Sequence, residues 1–239
     1  MTLYERLRLA IEREERAVLL TVVEGDGVGA KTLVVGDEVI GDGPVDLADG
    51  ARTGLVEREG TRVFVEVFGP PPKLVVLGAV DVAESLCALA GRLGWRTVVA
   101  DTRAALATRE RIPSADELLV GWPDEVLGRI GLDRDSAVVV LTHDEKLDTP
   151  ALLTALRSPA FYVGALGSRR AQASRRERLL HEGLGEDDLE RLSGPVGLDL
   201  GASTPPETAL SILGEIIAMR AGRSGGRLAA SVGRIHVEG

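Results

Sequence analysis

Of 239 residues only one is cysteine and three are histidine, and aromatic side chains make up 3% of the chain. The lone thiol, Cys87, excludes an intramolecular disulfide and any zinc or iron–sulfur centre built from several cysteines. It falls in a helical pattern, where burial as a small apolar residue is its expected role. His181 and His236 stand in a charged helix end and in the tail, without companion ligands, so no metal site is expected. No apolar run approaches the roughly 20 residues that cross a bilayer, and the opening MTLYERLRLAIEREERAVLL is charged and amphipathic, unlike a signal peptide. The expectation is a cytoplasmic protein that engages no membrane. Positive charge is also scarce: a formal net charge of -9 argues against general nucleic-acid binding, which needs a basic surface.

What is present suffices for a sizeable core, since 44% of the residues are apolar. Residues 1–68 read as a small α+β N-terminal domain. It has a helix over 1–16 with Leu3, Leu7 and Ile11 on its inner face, then strands at 18–23, 31–35 and 63–68, with GDGVG at 25–29 as a turn. Residues 69–72, Gly-Pro-Pro-Pro, form a stiff linker that can continue neither helix nor ladder. From 73 to 239 short apolar runs alternate with helical stretches, the pattern of an α/β, Rossmann-like parallel sheet covered on both faces. The strands fall at 74–77, 97–100, 117–120, 137–141 and 160–163. One helix carries Val82, Leu86, Leu89 and Leu93, and another carries Leu210, Leu213 and Ile217, on its buried face.

Ligands of such sheets lie beyond the carboxyl ends of the strands. The first of those turns, Gly78-Ala79-Val80-Asp81, has valine where a dinucleotide fingerprint needs a glycine for close approach of pyrophosphate, whereas Asp101 is spaced to accept a ribose hydroxyl. Thr142, His143 and Asp144 follow the fourth strand. His143 is a candidate binding residue, while Asp144 and Asp148 suit turn and helix-start positions. After the fifth strand, Gly164 and Gly167 permit a tight backbone path and Ser168 can cap the next helix. The helix N-terminus with Arg169 and Arg170 then offers free N–H groups and charge to an anion. Arg175, Arg176 and Arg178 continue the run as a solvated face. The loop 195–207 ends in a capping box of Thr204 and Glu207 with Pro205 at the first helical position. Its Gly197, Asp199 and Gly201 remain as candidates for a second pocket wall.

Together LTHDEKLDTPAL, YVGALGSRR and PVGLDLGASTPPETALSILGEIIAMR resemble the XdhC/CoxI family, accessory proteins for molybdenum hydroxylases such as xanthine dehydrogenase and carbon monoxide dehydrogenase. The resemblance spans about residues 70–222, with three motifs in the right order. It implies a role in receiving molybdenum cofactor (molybdopterin), protecting it during sulfuration and delivering it to a molybdenum hydroxylase apo-enzyme. A cysteine desulfurase is a further implied partner. The pterin's phosphate would give the Gly167-Ser168-Arg169 corner its task. Two family features are missing: nothing like the cysteine motif SGGCVE occurs in residues 1–68, and the usual GAGHVA turn is GAVDVA. The chain therefore reads as a short variant, and a thiolate route for handling molybdenum is not expected.

Two other readings stay open on the residues alone. One is an NAD(P)- or flavin-nucleotide-dependent oxidoreductase with Asp101 on ribose and His143 as acid or base. The other is a module that docks only protein. A homodimer is expected on the ground that a small N-terminal unit leaves an apolar face to cover.

Overall fold

The computed structural model describes residues 1–48, 51, 53–58 and 60–230, so His236 lies outside the described part. The described residues divide into two compact units, one of residues 1–70 with 227–230 and one of residues 71–226.

In the first unit a helix, α1 (Leu3–Glu12), is N-capped by Thr2 in a capping box with Glu5. It precedes five antiparallel strands, β1 (Ala17–Glu24), β2 (Lys31–Val35), β3 (Glu38–Gly41), β4 (Gly54–Arg58) and β5 (Thr61–Phe68), in the order β3-β2-β1-β5-β4. The edge strands β3 and β4 are absent from the sequence reading because they are short, bury no residue fully and lack the alternation that marks a half-buried strand. The inner face of α1 is Arg6, Leu7 and Ala10, with Leu3 packed against it, and Ile11 is exposed. Leu19, Leu33 and Val35 lie under α1, while Leu20, Val22, Val63 and Val65 pack with Ala48 on the other side. Both faces of the sheet thus bury a cluster within the chain. The premise for expecting a dimer, an uncovered apolar face, does not hold here.

The second unit alternates β6 (Lys73–Leu77), α2 (Asp81–Arg92), β7 (Arg96–Asp101), β8 (Glu117–Val120), α3 (Pro123–Ile130), β9 (Ser136–Val140), α4 (Glu145–Leu156), β10 (Tyr162–Ala165), α5 (Arg169–His181), α6 (Glu186–Glu190), β11 (Leu192–Ser193) and α7 (Pro205–Arg220). Every ladder is parallel, and the order is β11-β10-β9-β6-β7-β8. Counted from the first strand of the unit this is the doubly wound 3-2-1-4-5-6 order, with its switch point between β6 and β9. The expected Rossmann-like sheet is present. Side chains alternate across it: Leu74 and Val76 pack with Leu86, Ile212 and Ile216 of α2 and α7, whereas Val75 and Leu77 pack with Leu127, Leu152 and Leu179 of α3, α4 and α5.

Two helical faces and one helix start of this unit differ from the sequence expectation. In α2 the buried residues are Ala83, Leu86, Cys87 and Ala90, and Leu93 is exposed beyond the helix end. In α7 they are Ala209, Ser211, Ile212, Leu213 and Ile216, which leaves Leu210 54% and Ile217 44% exposed. Small residues let these two helices lie close to the sheet and to each other, so the buried stripe follows alanines as well as leucines. Helix α4 begins at Glu145, ahead of Asp148, and takes Pro150 into its interior.

Candidate functional site

Strands β6, β9 and β10 are neighbours in parallel register, so the loops after them lie side by side at one edge of the sheet. The backbone continues the ladder into the loops: Leu141 N donates to Leu77 O at 2.8 Å and Leu166 N to Val140 O at 2.9 Å.

At the switch point itself there is little space. Gly78 has φ +113, and a Cβ there would come within 3.2 Å of Thr142 Cγ2, so glycine lets the two turns touch. The depression lined by Gly78, Asp101 and Thr142 amounts to about 10 Å³. Helix α2 starts at Val80 with no side-chain cap and carries Asp81 and Glu84 in its first turn, which opposes an anion at that N-terminus.

The Asp101 carboxylate is buried and fully engaged. It accepts from Ala79 N and Arg103 N, and Arg103 Nε and Nη2 complete a fork, each at 2.9 Å. Burial pushes its carboxyl up, but the Arg103 and backbone hydrogen bonds outweigh that and hold it below the usual carboxylate range. In this arrangement no acceptor position remains for a ribose hydroxyl, because a carboxylate offers about four lone-pair sites.

After β9 the side chains part company. His143 and Asp144 are exposed, and Asp144 caps α4 by accepting from Lys146 N at 2.9 Å. Thr142 instead donates from Oγ1 to Asp148 Oδ1. Asp148 is therefore not a helix-start residue but a buried carboxylate, and its other oxygen accepts from Arg175 Nη2 at 2.7 Å. Arg175 correspondingly is not part of a solvated face. Its side chain and that of Asp148 are only 5% and 4% exposed, whereas Arg176 keeps the surface position expected of the run and Arg178 is half-buried beside Glu145.

The loop after β10 is built differently from the Gly78 turn. Gly164 belongs to the strand rather than to the loop, and a Cβ on it would fall 2.5 Å from Val196 Cγ2, so its absence is a packing requirement. Gly167 has φ +143, a conformation that favours glycine. Ser168 caps α5, accepting from Ala171 N at 3.2 Å. Arg169 and Arg170 are exposed, form no ion pair among the described residues, and share a first turn that contains no acidic residue. A helix N-terminus with unpaired guanidinium groups and no competing carboxylate suits a phosphate.

The chain matches the family model described as the XdhC Rossmann domain over residues 74–216. It belongs to that family. Similar curated proteins include a probable subunit of xanthine dehydrogenase from Bacillus subtilis (strain 168), 33% identical over 67% of this chain and 46% of that protein. A molybdenum cofactor insertion chaperone, PaoD, of Escherichia coli (strain K12) is 28% identical over 64% of this chain and 42% of its own. The crystal structure of a xanthine dehydrogenase from Bacillus halodurans aligns with a TM-score of 0.64 at 25% identity, covering 95% of this chain and 65% of that one. The chain thus spans less than half the length of these two curated relatives.

In this XdhC-family chain the loop 194–204 lies beside β10. Val196 N donates to Ala165 O at 3.2 Å, and Gly197 N donates to Glu215 Oε2 at 2.9 Å. Gly197, at φ +106, leaves room for Ser211, whose Oγ would be 2.5 Å from a Cβ there. Gly197 is thereby explained by the approach of α7, while Asp199 and Gly201 are exposed at the loop's outer part. The capping box of Thr204 and Glu207 is present as expected. Sequence reasoning passed over Gln172 and Glu215 and gave Asp148 a capping role and Arg175 a surface role, although all four are polar side chains that tie these loops to the helices. Their one legible signal was an aspartate and an arginine at otherwise apolar spacings of α4 and α5. Among the described residues no group of three or more His, Cys, Asp or Glu is placed to hold a metal, and no helix is long and apolar enough to cross a membrane.

Proposed function

We propose that this chain is an accessory factor for a molybdenum hydroxylase of the xanthine dehydrogenase type, which takes up molybdenum cofactor as cargo and passes it to the apo-enzyme. The observation that carries the reading is the contrast between the two helix N-termini at the sheet edge. That of α2 carries two carboxylates, and that of α5 offers Gly167, Ser168, Arg169 and Arg170 without any. A terminal phosphate of the pterin suits the second and is repelled by the first. Thr142 and His143 stand on the neighbouring loop, and in this reading the exposed Asp199 and Gly201 supply the further wall. The names of the relatives, one a component of xanthine dehydrogenase and the other a cofactor insertion chaperone, support the same role.

The residues fit the phosphate end of the cargo and not its metal. The only thiol, Cys87, is buried, and burial foremost pushes its pKa to about 12, so no protein thiolate is offered to molybdenum. The protein's contribution is then to bind and orient the pterin and to leave the metal's ligands to the cargo itself.

Production in a host that makes molybdenum cofactor, followed by mass spectrometry and fluorescence of the molecules released on denaturation, tests the reading. Stoichiometric pterin in the wild type and its loss in Arg169→Ala is the expected result. A nicotinamide or flavin nucleotide in its place, or no ligand, would overturn it in favour of an oxidoreductase or a protein-docking module.

A further inference from the structure

We infer that Arg175 is a positioning residue of this site: its buried guanidinium turns the Leu166–Gly167 peptide so that the Gly167 N–H faces the bound phosphate, and its anchor, Asp148, is shared with Thr142. The inference rests on the anion-binding reading of the α5 N-terminus given above.

Arg175 Nη2 donates both to Asp148 Oδ2 at 2.7 Å and to Leu166 O at 3.1 Å, while Nη1 donates to Gln172 Oε1 at 2.5 Å. Gln172 Nε2 in turn donates to Ala165 O at 2.9 Å. Two successive carbonyls, the last of β10 and the first of the loop, are therefore held from within by side chains of the helix whose N-terminus they precede. The Leu166–Gly167 peptide is trans, the cis bond of the described chain being Gly194–Pro195. Across a trans peptide C=O and N–H point in opposite directions, so a Leu166 carbonyl held by the buried guanidinium leaves the Gly167 N–H directed away from it. That N–H, with those of Ser168 and Arg169, has no acceptor within the chain among the described residues. Gly167 alone can follow the required φ of +143.

The choice of residue types supports the same conclusion. A buried ion pair is a poor source of stability, because desolvating two charges costs about as much as their attraction returns, and an apolar pair of similar volume would serve the core as well. An apolar pair could not hold the Leu166 carbonyl. Nor could it join the loops: Asp148 Oδ1 accepts from Thr142, so one carboxylate fixes the loop after β9 and, through Arg175, the loop after β10. Arg175 Nε is buried without a partner, which marks the guanidinium as held by its outer nitrogens, where the loop contacts are made.

The test titrates the full chain, labelled with ¹⁵N, with inorganic phosphate and follows the amide resonances of residues 167–169. In the wild type these move saturably, and Arg169→Ala weakens the binding. Arg175→Lys keeps a charge for Asp148 but cannot reach Asp148, Leu166 O and Gln172 together. It is expected to raise the dissociation constant about tenfold and to abolish the Gly167 response, with a cooperative melt retained. Should the lysine variant fail to fold, Asp148→Asn combined with Arg175→Met removes both charges, leaves Thr142 a partner and is expected to show the same loss. A Gly167 response that survives in whichever variant folds overturns the role of Arg175 while leaving the anion site standing. Absence of any response in the wild type, or no effect of Arg169→Ala, overturns the anion site and the inference with it.

Discussion

Arg175 of α5 and Asp148 of α4 meet at 2.7 Å with both side chains almost entirely buried. Such a pair is costly to form and costlier to halve, since removal of one member leaves the other charged, desolvated and without its counter-charge. Asp148→Ala is therefore expected to destabilise the second unit by about 3–5 kcal/mol, measured by urea unfolding. The double variant Asp148→Asn/Arg175→Met should recover most of that loss. A double variant as unstable as the single one would show that the pair does not act as a unit.

A second buried contact ties the loop 194–204 to the sheet. Tyr162 donates its hydroxyl proton to Glu215 Oε2, the same oxygen that accepts from Gly197 N. Burial first, and the Glu215 charge second, push the Tyr162 hydroxyl well above the ordinary tyrosine range, so it remains a donor at any physiological pH. Glu215→Ala removes the acceptor of a backbone N–H and leaves the buried hydroxyl only its contact with Ser193. A loss of about 2–3 kcal/mol is expected, with faster hydrogen exchange at Gly197. Unchanged exchange there would mean that the loop is held by Val196 and Leu198 alone.

The sheet was legible in the sequence because each parallel strand is a continuous apolar run, and burial on both faces demands that pattern. The same pattern located the loops at the carboxyl ends, with small errors of register. The fifth strand is Tyr162–Ala165, two residues later than read, since Ala160 and Phe161 are apolar without being part of the ladder. Three kinds of feature were not legible. Edge strands such as Glu38–Gly41 expose most of their residues and so carry no apolar signal. The burial of Arg175 depends on a partner 27 positions away, which no local pattern contains. The saturation of Asp101 by Arg103 is local in sequence, yet it becomes visible only when the turn brings the guanidinium fork back onto the carboxylate.

The start of α7 supplies a prediction in pH. Glu207 accepts from the backbone N–H groups of Ser203 and Thr204 and from the Ser203 hydroxyl, and these bonds, the backbone ones foremost, hold its carboxyl at about 2. A carboxyl depressed in the folded state contributes stability that is complete above its unfolded value of about 4.3 and is lost as pH falls toward 2. Glu207→Gln is expected to flatten the acid limb of the stability curve between those values. An acid limb identical to that of the wild type would assign the pH dependence to other carboxylates.

Cys87 decides whether any protein sulfur can take part in handling the cargo. It lies fully buried on the inner face of α2, between Ala83 and Ala90, with its pKa pushed to about 12 by burial above all. At neutral pH a thiol in that state is almost wholly protonated, and it is shielded from reagents as well. The native protein is therefore expected to give no reaction with a disulfide reagent on the time scale of mixing, and one equivalent in denaturant. The rate in native buffer should be slow, because exposing Cys87 requires α2 to leave the sheet. Substitution to alanine or serine should then leave pterin content untouched. Fast native labelling, or loss of pterin in Cys87→Ala at unchanged stability, would place a reactive sulfur in the pathway and displace the phosphate end as the sole hold on the cargo.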